Sequence, residues 1–166
     1  MTRTWIALLL TGIPLIGQQP SLRDELLDRM VGNWVLEGTI AGKQTTHDVS
    51  GEWVLGHHYV RLHEVSREKG NDGKPQYEAN VYIGWNPAEK QYGCVWLDTY
   101  GGIAPVSLAA GKREGDEIPF VFRDKDSVFH TTFRWVKESG EWEWRMDSEE
   151  KSGWKPFARV RLRKRT

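Results

Sequence analysis

Cys94 is the only cysteine in 166 residues. No intrachain disulfide is possible, so packing and hydrogen bonds alone must hold the fold. A lone cysteine inside the strand-like run "QYGCVWLDTY" reads as a small buried hydrophobe rather than a nucleophile. There is no excess of charge either. Lys+Arg and Asp+Glu stand at 23 each, a formal net charge of +0, which gives no general attraction to nucleic acid or to an anionic membrane. No apolar run reaches the ~20 residues that a membrane-crossing helix needs. The Gly-x-Ser-x-Gly, His-Glu-x-x-His and Cys-x-x-Cys patterns and the phosphate-binding loop are all missing. Those absences remove the enzyme classes built on a short local motif. They leave untouched any site assembled from scattered strands.

Tryptophan, by contrast, is abundant, with 9 residues. Aromatics in such number bring large apolar area with few torsions to freeze, and they line cavities as well as fill cores. The start of the chain, "MTRTWIALLLTGIPLIGQQP", carries Arg3, an apolar run from Trp5 to Ile16, then small and polar residues. That is the layout of a signal peptide over residues 1–19, which predicts an exported protein, periplasmic or extracellular. Pro14, Gly12 and Gly17 argue against a buried helix there. Residues 20–166 then read as one domain, long enough to bury a core.

That domain opens on a short amphipathic helix in "PSLRDELLDRMVG". Ser21 is the expected N-cap, Leu22, Leu26, Leu27 and Met30 share a face, and Gly32 is placed to stop it. Helical periodicity then disappears. Roughly ten strand-like runs follow, separated by turn chemistry such as "EKGNDGKP", "NPAEK", "GKREGD" and "ESG". In "EWEWRMDS", Trp142, Trp144 and Met146 alternate with Glu141, Glu143, Arg145 and Asp147. In "SVFHTTFRWV", Phe129, Phe133 and Trp135 alternate with His130, Thr132 and Arg134. One wet face and one apolar face on so many strands predict an all-β, up-and-down antiparallel barrel, closed to avoid exposed edges.

The first strand begins "VGNWVLEG". Gly32 permits a tight turn, Trp34 then plugs the barrel end, and Arg159, Arg161 or Arg163 of the last strand is expected over the indole as a cation–π partner. This Gly-x-Trp opening resembles that of lipocalins. With "SGEWVLGHHYV", the central hairpin "IGWNPAEKQY", the Trp96-x-Asp98-Thr99 run and the final "FARVRLRK", the chain resembles a bacterial lipocalin-like (calycin-type) barrel family catalogued as a domain of unknown function. Trp85 and Asn86 replace the Tyr and Asp usual in that family's turn. The resemblance covers the chain from about residue 25 onward. It implies a barrel with a central cavity and no established activity. Distantly similar nitrobindin-like barrels bind haem through a histidine near the C-terminal end. Here the last histidine is His130, and the expected axial ligand is missing from "SGWKPFARVRLRKRT", so no cofactor is expected and haem is the lesser alternative.

The candidate walls of the cavity are Trp34, Trp53, Tyr59, Tyr82, Trp96 and Trp144, with Asp98 and His130 as polar anchors. Asp98 lies between Trp96 and Tyr100 on one strand face. It reads either as an inward acid, base or ligand anchor, or as a residue that faces solvent or caps the turn at Gly101-Gly102. A hairpin turn centred on Gly56 would set Trp53 opposite Tyr59 and His47 diagonal to His63 on one face. His57 and His63 on a single strand lie about 20 Å apart, and with no third ligand apparent no metal site is expected. Arg159 to Arg165 read as the solvated face of a last strand, not a nucleic-acid patch. The functional expectation is a secreted or periplasmic barrel binding a small apolar molecule in its interior. The alternatives are a haem-dependent or acid–base, isomerase-type enzyme using Asp98, and a protein-binding module.

Overall fold

One short helix and ten strands make up the computed structural model, which describes residues 22–101, 108–123 and 127–166. The expected signal peptide and Ser21 lie outside the described residues. The helix α1 (Glu25–Asp28) is capped by Asp24, whose Oδ1 accepts the backbone N–H groups of Leu26 at 2.9 Å and Leu27 at 3.0 Å. Leu26, Leu27 and Met30 are buried, as their shared face requires.

The strands are β1 (Gly32–Ile40), β2 (Lys43–Val54), β3 (Tyr59–Ser66), β4 (Glu78–Asn86), β5 (Gln91–Asp98), β6 (Leu108–Gly111), β7 (Glu117–Arg123), β8 (Val128–Val136), β9 (Glu141–Glu150) and β10 (Gly153–Lys164). Each pairs antiparallel with the next, and β10 returns to β1 from Trp34↔Lys164 to Ile40↔Ala158. The result is a closed up-and-down barrel without edges. In the "IGWNPAEKQY" turn joining β4 to β5, Asn86 Oδ1 accepts from the N–H of Ala88 at 3.1 Å and of Glu89 at 3.3 Å. On β10 the pairing slips between Pro156 and Ala158, so Phe157 is the extra residue of a bulge.

Alternation holds around the barrel. Trp142, Trp144 and Met146 are buried, while Glu143 and Asp147 face outward to Arg161 at 3.0 Å and Arg159 at 2.5 Å. Arg163 reaches Glu141 at 3.0 Å. This charged outer face is the reverse of the apolar band on a membrane barrel. Among the described residues no helix is long and apolar enough to cross a membrane.

One end of the barrel is closed by α1. Trp34 is 2% exposed and its indole N–H donates to the Met30 carbonyl at 3.0 Å. Trp142 donates likewise to the Arg29 carbonyl at 3.2 Å, and Trp53 to Asp28 Oδ1 at 2.8 Å. The first two satisfy carbonyls that the end of so short a helix leaves without intrahelical partners. Gly51 makes the close approach possible, because a Cβ there would stand 2.0 Å from the Met30 oxygen. Gly32, at φ +126, turns the chain from the helix into β1.

Two expectations are corrected here. None of the three arginines lies over Trp34: all have the outward parity of β10, and the cation over the indole is Lys164, with Nζ 4.4 Å from the ring centroid. The β2–β3 turn also differs. Leu55, Gly56 and His57 all take positive φ, making a four-residue loop, so Trp53 pairs with Val60 and Val54 with Tyr59. A slip of one residue exchanges the two faces of a strand. His47 therefore points inward, 4% exposed, whereas His63 lies on the outer face bonded to Glu78 at 2.7 Å.

Candidate functional site

Among the described residues, the barrel end opposite α1 is not filled. Along β2 the inward positions toward that end are Thr45 and His47, along β3 they are Glu64 and Ser66, and β8 adds Thr131. At the α1 end the inward positions of β1, β2, β8 and β9 hold Trp34, Trp53, Trp135 and Trp142. Shorter side chains leave a cavity of about 730 Å³. Its two halves differ in chemistry. Ile40, Phe122, Phe129, Met146 and the bulged Phe157 line the half formed by β7 to β10 and β1. Thr45, His47, Glu64, Glu68, Tyr77 and Asp98 line the half running from β2 to β5.

The polar half is a connected chain. Register sets His47 opposite Ser66, which puts Glu64 on the diagonal of the same face. His47 Nδ1 bonds Glu64 Oε1, and His47 Nε2 lies 2.8 Å from Thr45 Oγ1. The Thr45 hydroxyl donates in turn to Glu68 Oε2 at 3.2 Å, while Glu68 Oε1 accepts from the Thr46 N–H at 3.1 Å. Burial opposes the charge on Glu68. The hydrogen bonds from backbone N–H groups and from Thr45 outweigh it, and the Glu68 pKa lies below the ordinary value.

A second branch starts at Tyr77, stacked on His47 with ring centroids 5.7 Å apart. Its oxygen accepts the Trp96 indole N–H at 3.0 Å, and its hydroxyl donates to Asp98 Oδ2 at 3.4 Å. Burial, reinforced by the charge of Glu64, pushes the Tyr77 phenol far above its usual range, so it stays protonated. Asp98 lines the cavity, and its Oδ1 caps the turn by accepting the Tyr100 N–H at 3.0 Å. Burial likewise raises the Cys94 thiol, which sits in the core as an unreactive hydrophobe.

Of the eight residues expected at the site, the structure brings Trp96 and Asp98 to the cavity. Trp144 is buried in the core, edge-on to Trp96 at 6.5 Å and to Phe133 at 4.8 Å. Trp34 and Trp53 belong to the closed end, Trp53 stacked on His57 at 4.0 Å. Tyr59, Tyr82 and His130 have the outward parity of their strands. Tyr59 covers Gly84 from outside, where an added Cβ would meet its ring at 2.5 Å, and His130 packs against Trp154 at 4.2 Å. His47, Glu64, Glu68 and Tyr77 were not expected at the site. The signal for Glu64 was present in the alternation Val60, Leu62, Glu64, where a carboxylate occupies an apolar position.

The chain matches no family model and no curated protein. Its own geometry therefore carries the functional reading. Among the described residues no three His, Cys, Asp or Glu side chains gather to hold a metal ion. Both nitrogens of His47 lie within hydrogen-bond distance of Thr45 and Glu64, and His130 has outward parity.

Proposed function

We propose that this protein is a lipocalin-like barrel, exported from the cell, that binds a small and largely apolar molecule in its cavity. The observation that carries the reading is the cavity itself: about 730 Å³ in size, apolar on one half and hydrogen-bonded on the other. Ligand pockets typically occupy roughly 300–1,000 Å³, with a few oriented polar groups in a mostly apolar wall. The mechanism is burial of apolar surface against Phe122, Phe129, Met146 and Phe157, with orientation supplied by the polar half.

Titration with Nile red, a neutral polarity-sensitive dye, tests this. Binding is expected to raise dye fluorescence and quench indole emission. Trp96→Ala is expected to weaken binding by about 1–3 kcal/mol, the scale of one buried apolar side chain. An unchanged dye spectrum, with Trp96→Ala affecting only fold stability, would overturn the reading. Export is tested separately, by N-terminal sequencing of the abundant species from the native host. A mature chain starting shortly after Gly17 is expected, and an intact Met1 or Thr2 would contradict it.

A further inference from the structure

Among the described residues, the polar half of the cavity leaves one buried atom unpartnered, on Glu64. That side chain is 2% exposed; one oxygen takes the His47 Nδ1 bond, and the other, Oε2, is buried with no hydrogen-bond partner. A buried carboxylate oxygen without a donor is an unfavourable state that folded proteins rarely leave standing. Three donors of the cavity wall are committed elsewhere. The Trp96 N–H is committed to Tyr77, the Tyr77 hydroxyl to Asp98, and the Thr45 hydroxyl to Glu68. A molecule that enters the cavity can supply the missing donor.

Charge narrows the kind of donor. Three carboxylates line the cavity among the described residues, those of Glu64, Glu68 and Asp98, against Lys43 and His47 as the bases. His47 is spent between Glu64 and Thr45, and Lys43 lies at the exposed start of β2. A carboxylate-headed ligand such as a fatty acid would therefore meet like charge in a poorly solvated space. A protonated amine would meet opposite charge and an unfilled acceptor.

We propose that the cavity selects an amphiphile with a protonated amine head, which donates to Glu64 Oε2 while its apolar body lies against Phe122, Phe129, Met146 and Phe157. The inference rests on the small-molecule reading above and names the ligand class for that same cavity. Glu64 is the specificity-determining residue. Glu68 and Asp98 contribute field rather than contact.

The test is displacement of Nile red from the full chain at pH 7 by octylamine, octanol and octanoate, which share one tail and differ in the head. Octylamine is expected to bind about tenfold more tightly than octanol, the scale of a charge-assisted over a neutral hydrogen bond, with octanoate weakest. Glu64→Gln is expected to bring octylamine to within about threefold of octanol and to leave octanol unchanged. Should that variant fold poorly, the wild-type series still decides, and Glu68→Gln is expected to cost octylamine alone about twofold to threefold through lost field. Equal binding of amine and alcohol, tightest binding of octanoate, or failure of all three to displace bound dye would overturn the amine proposal while leaving the cavity reading intact. Failure of Nile red itself to bind would overturn both.

Discussion

The two ends of this barrel are built from the same alternating strands and solve opposite problems. At the α1 end, inward positions carry Trp34 and Trp142, whose rings fill the space and whose N–H groups meet the Met30 and Arg29 carbonyls. Every polar atom so created is consumed by the helix. At the other end, inward positions carry Thr45, Ser66 and Thr131, which fill less, and a chain of polar groups that ends in an unpartnered oxygen on Glu64. Strand parity decides which side chains point in. Side-chain volume and the count of donors against acceptors decide whether that interior becomes core or cavity. Stability and binding should accordingly separate along the barrel axis.

The closed end should dominate stability. Trp34→Ala is expected to cost about 3–5 kcal/mol in denaturant unfolding, as for other large-to-small changes in a core. Trp34→Phe, which keeps a ring and loses the bond to Met30, should cost less, and the gap between the two separates packing from the hydrogen bond. An alanine variant within experimental error of wild type would show that the indole is not a plug. Gly51→Ala should rank next. Its methyl would stand 2.0 Å from the Met30 oxygen, so α1 must move, at about 1–3 kcal/mol. The same variant should leave Nile red affinity unchanged, because α1 is at the far end from the cavity; a large loss of dye binding would mean that the ends are coupled.

Legibility in the sequence followed the range over which each feature is determined. The helix face of Leu26, Leu27 and Met30, the alternation of β9, and the inward pair Trp96 and Asp98 depend on neighbours within one element, and all were readable. The partnership of His47 with Glu64 depends on cross-strand register, which a single residue in the turn controls. Three successive positive-φ residues at Leu55, Gly56 and His57 set that register, and nothing in the pattern around Gly56 distinguishes a four-residue loop from a tighter one. Tyr77 and Glu68 flank the β3–β4 connection, where there is no periodicity to read. Tyr59, Tyr82 and His130 teach the converse lesson. Being aromatic does not orient a side chain, and their own alternation with Val60, Val81 and Thr131 already placed them outside.

The cavity end should be cheap to alter. Tyr77→Phe removes a hydroxyl that joins Trp96 to Asp98 and should cost about 0.5–1.5 kcal/mol in unfolding, the net worth of an ordinary hydrogen bond. A loss as large as that of Trp34→Ala would erase the contrast between the ends. Alkaline pH probes the same contrast. Burial, then the bond to Asp24, pushes the Tyr92 phenol up to about 12, above the ~10 of an unfolded chain. Its contribution is complete below about pH 10, where both states hold the proton, and is lost as pH rises through about 12, because the unfolded state releases the proton first. Tyr77 adds to the loss with the same sign. Unfolding followed at pH 9 and pH 11.5 should show stability falling in wild type and falling less in Tyr92→Phe. Parallel slopes would remove Tyr92 from the account.

The smallest effect expected here separates the inward and outward faces of β10. Lys164 and Arg161 are both cations near the surface of one strand, yet only Lys164 stands over Trp34, while its ammonium also donates to the Val31 carbonyl at 3.1 Å. Arg161 sits among Glu141 and Glu143 on the outside. An exposed cation–π contact contributes about 0.5–1 kcal/mol, whereas surface ion pairs often contribute nothing measurable. Lys164→Met should therefore lower stability by about that amount with little dependence on salt, because the ring quadrupole acts at contact distance. Arg161→Met should change stability by a few tenths at most, and that change should fade as salt screens the ladder. If Arg161→Met proved the costlier of the two at high salt, the outer ladder would be holding the β1–β10 seam, and the indole would owe its position to packing alone.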